Sequence, residues 1–141
     1  MKIKKRWGKL EVELAPDALE RYNCIAVDVF SVAAALRSPE ELFRGFAEAG
    51  LRALFVLDAW HEAHMPLARR YWKLCEEYRL DCLLSEDKPA EEKAVELACR
   101  EGCAVLTRDF DAVRKALELN CGAPVLIARR GKVYRVVEAK F

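Results

Sequence analysis

The stretch SEDKPAEEKAVELACREGCAVLTRDFDAV, residues 85–113, decides how this chain folds. Pro89 followed by Ala90, Glu91 and Glu92 opens a helix, because proline's fixed φ suits the first helical turn and acids there oppose the macrodipole. Ala94, Val95, Leu97 and Ala98 give that helix an apolar stripe, and Gly102 is placed to end it in a left-handed cap. CAVLT (103–107) then reads as a buried strand. DFDAVRKALELN (109–120) is a second helix, with Asp109 available as its N-cap. Helix, apolar strand and helix in direct succession are the repeating unit of a parallel sheet.

Working outward, NCIAVD (23–28) is a short apolar strand and VFSVAAAL (29–36) a helix packed on it. Ser38, Pro39 and two glutamates start a helix that runs to about Gly50. LRALFVLD (51–58) is a second buried strand. MPLARRYWKLCEEYRL (65–80) is amphipathic, with Leu67, Tyr71, Leu74, Cys75 and Tyr78 on one stripe, and DCLLS (81–85) is a third strand. Downstream, APVLIA and KVYRVV flank Arg130 and Gly131 as a hairpin. KLEVEL (9–14) alternates apolar and charged residues, as an edge strand or hairpin arm does. Strands alternating with helices predict right-handed crossovers and an α/β fold: a three-layer sandwich around a mostly parallel sheet. A single domain is expected over 1–141, with its core at 23–130 and a β extension at 1–14.

At 141 residues and 53% hydrophobic, one core suffices. A third of the residues are charged but the net charge is only +1, so any nucleic-acid partner must meet a local basic patch. The absence of glutamine and the single threonine, Thr107, resemble thermophile usage. No segment approaches the roughly 18 apolar residues a membrane helix needs, and the basic start lacks a signal-peptide core, so no membrane partner and a cytoplasmic location are expected. In that compartment the six cysteines (24, 75, 82, 99, 103, 121) are expected as reduced, buried thiols, with disulfides as the exception a hyperthermophile would allow.

Four acids punctuate this pattern where strands end or helices begin: Asp28, Asp58, Glu91 and Asp109. Carboxylates at one rim of an open α/β sheet lie where such folds keep ligands. Hard divalent cations take oxygen donors, and clustered carboxylates repel one another unless a cation neutralises them. The expected cofactor is therefore Mg²⁺ or Mn²⁺. Singly, each acid is also explained as a cap or a first-turn residue.

Glu91, Gly102, the strand CAVL and the T-x-D-x-D run of Thr107, Asp109 and Asp111 resemble the third and fourth acidic motifs of the PIN-like nuclease superfamily, which includes flap endonucleases and PIN and NYN ribonucleases. IAVDVFS is similar to the first motif, with Asp28 as its acid and Ser31 where NYN proteins carry a polar residue; FVLDAW resembles the second-strand motif. The resemblance implies a metal-dependent phosphodiester hydrolase. Asp28 and Asp109 would be the primary ligands, with Glu91 from the facing helix and Asp58 and Asp111 completing the shell. Ser31 or Thr107 would orient a carboxylate or bind phosphate, and Glu92 would substitute for Glu91. Departures are Glu91 in place of the usual Asp and Lys93 where flap nucleases place an acid. No duplex-binding helix-hairpin-helix follows the fourth motif, which favours RNA as substrate over flap DNA. The family also implies a possible homodimer or an antitoxin-type protein partner. Lys93 and Glu91 motivate a non-catalytic RNA- or protein-binding module as the alternative.

His61, Glu62 and His64 fall one residue short of H-E-x-x-H and are expected at the surface or substrate rim. Cys99 and Cys103 read as core rather than as chelators. Trp60 either stacks on a base or buries under the next helix. Arg108 lies inside the fourth motif, and Arg129, Arg130, Lys132 and Arg135 form one basic patch with Lys2, Lys4, Lys5, Arg6 and Lys9 if the terminal strands pair.

Overall fold

The structure, a computed structural model, describes residues 4–35 and 38–140. Eight strands form one sheet: β1 (Lys4–Trp7), β2 (Leu10–Leu14), β3 (Cys24–Asp28), β4 (Arg52–Asp58), β5 (Asp81–Ser85), β6 (Ala104–Thr107), β7 (Val125–Arg129) and β8 (Lys132–Ala139). Their order is β1-β2-β8-β7-β6-β3-β4-β5. The five strands from β7 to β5 are mutually parallel; β8, β2 and β1 extend them antiparallel. The alternating KLEVEL segment is thus a hairpin arm and not an edge, since Lys4–Trp7 occupies the edge outside it.

Helices cover both faces. α1 (Ala18–Arg21), α2 (Val29–Ala35), α3 (Pro39–Ala49) and α4 (Met65–Tyr78) pack on one; α5 (Ala90–Glu101) and α6 (Asp111–Leu119) pack on the other. Two cores result because strand side chains alternate. Ile25, Val27, Phe55 and Leu57 join Phe43, Phe46 and Tyr71 on the first face, while Ala26, Val56, Val105 and Ile127 join Val95, Ala98 and Val113 on the second. α4 buries Ala68, Tyr71 and Cys75 and only half-buries Leu67, Leu74 and Tyr78. Gly102 ends α5 at φ 72° in the left-handed region, where a side chain is strained. Arg130 and Gly131 (φ 51° and 77°) make the tight hairpin turn between β7 and β8. Leu36, at the end of the predicted VFSVAAAL helix, and Lys2 lie outside the described residues.

The cysteines depart from expectation: all six are paired, as Cys24–Cys103, Cys75–Cys82 and Cys99–Cys121. The reason is register. Cys24 opens β3 and Cys103 directly precedes the adjacent parallel strand β6, where Ile25 pairs with Ala104, so their Cα atoms are 4.7 Å apart. Cys75 on α4 reaches Cys82 on β5 at 6.2 Å, and Cys99 on α5 reaches Cys121 beyond α6 at 5.4 Å. All three separations lie within disulfide reach.

Candidate active site at the topological switch point

Strand parity decides which side chains meet. Asp28 follows Ala26 on the α5 face of β3, Thr107 follows Val105 on β6, Asp58 follows Val56 on β4, and Arg129 follows Ile127 on β7. All four stand at the carboxyl ends of parallel strands. β3 and β6 are the neighbours from which the chain winds off in opposite directions, so Asp28 and Thr107 flank the switch point where such sheets keep ligands.

Asp28 is 3% exposed. Its Oδ2 accepts hydrogen bonds from Ser31 Oγ at 2.7 Å and Thr107 Oγ1 at 3.0 Å. Those hydroxyls in turn accept the backbone N–H groups of Arg108 (3.1 Å) and Asp109 (3.0 Å). The first turn of α2 and the end of β6 are thereby fastened to one carboxylate oxygen. Burial pushes the Asp28 carboxyl up to about 6; the two hydroxyls oppose this, and the nearby charges of Glu91 and Asp109 add to it. Glu91, half-buried in the first turn of α5, is likewise raised by burial and then by Asp109, Asp58 and Glu92.

Asp109 is half-buried. It is not the N-cap itself, because α6 begins at Asp111 and Phe110 holds the cap position. It serves from one residue earlier: Asp109 Oδ1 accepts the Asp111 N–H at 2.9 Å and its carbonyl accepts the Ala112 N–H at 3.2 Å. Glu91, Glu92, Asp109 and the exposed Asp111 line a shallow pocket of 250 Å³ edged by Arg114 and Lys115. A larger cavity of 740 Å³, lined mostly by apolar residues around Leu19, Leu42 and Phe46, contains none of these acids. Lys93 turns to Asp87, 2.9 Å away.

Asp58, 5% exposed, has different company. Its Oδ1 accepts the backbone N–H groups of Trp60 (2.9 Å) and His61 (3.4 Å), and its Oδ2 lies 2.9 and 3.0 Å from Nδ1 of His61 and of His64. Burial alone would raise this carboxyl, but the histidines and the backbone donors together hold it below the ordinary range.

Trp60 is half exposed, not covered by the following helix. Arg108 is exposed. The terminal strands do pair, bringing Lys4, Lys5 and Arg6 on β1 into the same sheet as Lys132 and Arg135. Arg129 lies over Trp7 at 4.7 Å and at 6.0 Å from Phe110, and those two rings stack at 5.7 Å with planes 9° apart. This platform adjoins Asp109 and Asp111, and reading the sequence missed Trp7 and Phe110, which only the folded-back hairpin brings together.

Five parallel strands in this order, covered on both faces by helices, make a PIN-like α/β sandwich, and that is the fold of this chain. The solved Holliday junction-resolving enzyme GEN1, in complex with product DNA and Mg²⁺, is similar over 88% of this chain and 34% of its own, with TM-score 0.55 and 16% identity. The catalytic core of Rad2 with DNA substrate matches 81% of this chain and 46% of its own (TM-score 0.53, 17% identity). A second structure of that core gives 81% and 42% (TM-score 0.54, 18% identity). The chain thus spans less than half the length of these proteins, and at such identity the likeness is one of fold. No protein-family model matches the sequence, and no curated protein is significantly similar to it.

Proposed function

We propose that this chain is a divalent-metal-dependent nuclease that hydrolyses phosphodiester bonds, with single-stranded RNA as its preferred substrate. The observation that carries this reading is Asp28: buried, fixed by two hydroxyls at the switch point, and raised by Glu91 and Asp109 besides its burial. Carboxylates that raise one another are costly until a cation joins them, and an all-oxygen donor set fits a hard ion, Mg²⁺ or Mn²⁺. Asp28, Glu91 and Asp109 would hold it, Asp111 would join directly or through water, and Glu92 shares a pocket with Glu91, Asp109 and Asp111. Bound there, the ion supplies charge stabilisation to a phosphoryl oxygen and lowers the pKa of a water. Ser31 and Thr107 keep Asp28 oriented. Arg108, Arg130 and Lys132 offer exposed cations for the phosphate backbone.

Single strands suit the Trp7–Phe110–Arg129 platform, because an unpaired base has a free face to stack while a duplex does not. The ion pair of Lys93 with Asp87 favours the catalytic reading over a binding module, since this cation is engaged by an acid outside the cluster. The test is cleavage of matched single-stranded RNA, single-stranded DNA and duplex with Mg²⁺ or Mn²⁺. Asp28→Asn and Asp109→Asn are each expected to cut activity by about a thousandfold or more while the protein stays folded. Full activity in either variant overturns the assignment. RNA retained without any Mn²⁺ binding at millimolar concentration establishes a non-catalytic module instead.

A further inference from the structure

Asp58, His61 and His64 follow the spacing D-x₂-H-x₂-H, and the structure gives that spacing a geometry. His61 caps a 3₁₀ turn, Glu62–His64, and in such a turn residues three apart stand one above the other. Both rings therefore present Nδ1 to the same oxygen, Asp58 Oδ2, at 2.9 and 3.0 Å, with ring centroids 4.9 Å apart. The spacing is i, i+3 on a 3₁₀ turn and the shared partner is Asp58, so comparison with the i, i+4 pair of H-E-x-x-H misses this group.

We infer that Asp58, His61 and His64 form a second metal site, selective for a borderline transition ion of the zinc class. The three donor atoms lie within 4.8 Å of one another. Donors each about 2.1 Å from a shared ion stand roughly 3.0 to 3.4 Å apart; the two Nδ1–Oδ2 separations of 2.9 and 3.0 Å are near that range, and rotation of the solvent-accessible imidazoles would bring the remaining donor pair, now within 4.8 Å, around one ion. Two imidazoles and one carboxylate prefer Zn²⁺ or Co²⁺ to Mg²⁺, the reverse of the all-carboxylate cluster. The second oxygen of Asp58 is held by the N–H groups of Trp60 and His61, an outer shell that fixes the ligand's orientation. The His61 and His64 side chains are 52% and 42% exposed, so an ion has an entry path. Three protein ligands leave coordination open to water or to a phosphate oxygen. The site lies on the same rim as Asp28, one strand away, close enough for Asp58 to act on Glu91. An ion here would add a positive charge to the rim on which the proposed nuclease function places the nucleic-acid backbone.

The experiment uses the full chain with its disulfides intact, titrated with Co²⁺ in excess Mg²⁺ and followed by visible ligand-field absorption. The wild type is expected to develop bands that Zn²⁺ abolishes by competition. His61→Ala, at an exposed position, and His64→Ala, at a half-buried one, both checked for fold by circular dichroism, lose the bands, whereas Asp28→Asn keeps them. Bands unchanged in both histidine variants, bands lost in Asp28→Asn, or no bands at millimolar Co²⁺ overturn the inference. The readout does not involve cleavage, so its outcome is separate from that of the nuclease proposal.

Discussion

Asp28 and Asp58 occupy equivalent places: each closes an apolar run, each ends a central parallel strand, each faces α5, and each is almost wholly buried. Their carboxyls nevertheless shift in opposite directions, one up to about 6 and the other below its ordinary range. Burial favours the neutral form in both, so the neighbours decide. Asp28 meets two hydroxyls and the charges of two other acids; Asp58 meets two imidazoles and two backbone N–H groups, all able to donate. One strand end awaits charge from outside the protein, and the other already has its compensation within it.

The largest effect that tests this contrast is on stability in the absence of divalent ions. Asp28 has a folded value above its ordinary 3.8, so the stability it contributes is present below about pH 4 and is lost as pH rises through about 6. The shift corresponds to a loss on the order of 3 kcal/mol. Asp28→Asn should therefore melt higher than wild type at pH 7.5 in EDTA and no higher at pH 4. Asp58 has a lowered value, so its contribution is present at neutral pH and lost as pH falls through the carboxylate range. Asp58→Asn should destabilise at pH 7.5 by roughly 1 to 3 kcal/mol, the cost of breaking hydrogen bonds to a buried charge. Shifts of the same sign in thermal melts of the two variants would erase the distinction.

The sheet was largely legible because CIAVD, LFVLD and CAVLT are short apolar runs broken by Gly50, Gly102 and the Arg130–Gly131 turn, signals that lie within a few residues of what they specify. Asp28, Ser31 and Thr107 stood out for a related reason: each occurs at a strand end or helix start inside a recognisable motif. Other features depend on contacts distant in sequence. Cys24 pairs with Cys103 across 79 residues, and only the register of β3 against β6 selects that partner. Trp7 meets Phe110 because β2 joins β8, which no local pattern announces. The histidines were local enough to read, but were compared with a helical motif when the backbone there is a 3₁₀ turn.

A smaller effect addresses the hydroxyls at the Asp28 end. Thr107→Val keeps the shape of the side chain but removes the donor to Asp28 Oδ2 and the acceptor for the Asp109 N–H. With less to hold its ionised form, the Asp28 carboxyl rises further, and a metal must displace its proton at higher pH. Mn²⁺ affinity should fall by about tenfold at pH 6.5, as loss of a ligand's supporting hydrogen bond commonly does, and recover toward wild type by pH 8.5. A loss equal at both pH values in a titration calorimeter would mean that Thr107 shapes the site without acting through ionisation.

The smallest effect asks which end of the rim the substrate strand follows. Two aromatic groups are available: Trp7 with Phe110 beside Asp109, and Trp60 beside Asp58. The first is a stack formed in advance with Arg129 laid over it, so a base joining it orders little more; Trp60 stands half exposed, so its ring must settle before a base can use it. Stacking on an aromatic ring contributes about 1 to 3 kcal/mol per base, and part of the platform survives each single substitution. Phe110→Ala should therefore raise KM for single-stranded RNA by about fivefold with kcat nearly unchanged, and Trp60→Ala by less. Phe110 is the better probe, because Trp7 also packs edge-on against Tyr134 and its loss would disturb the terminal strands. If Trp60→Ala has the larger effect, the strand runs over the Asp58 end instead, and the histidine group would then stand nearer the scissile phosphate than the buried Asp28 does.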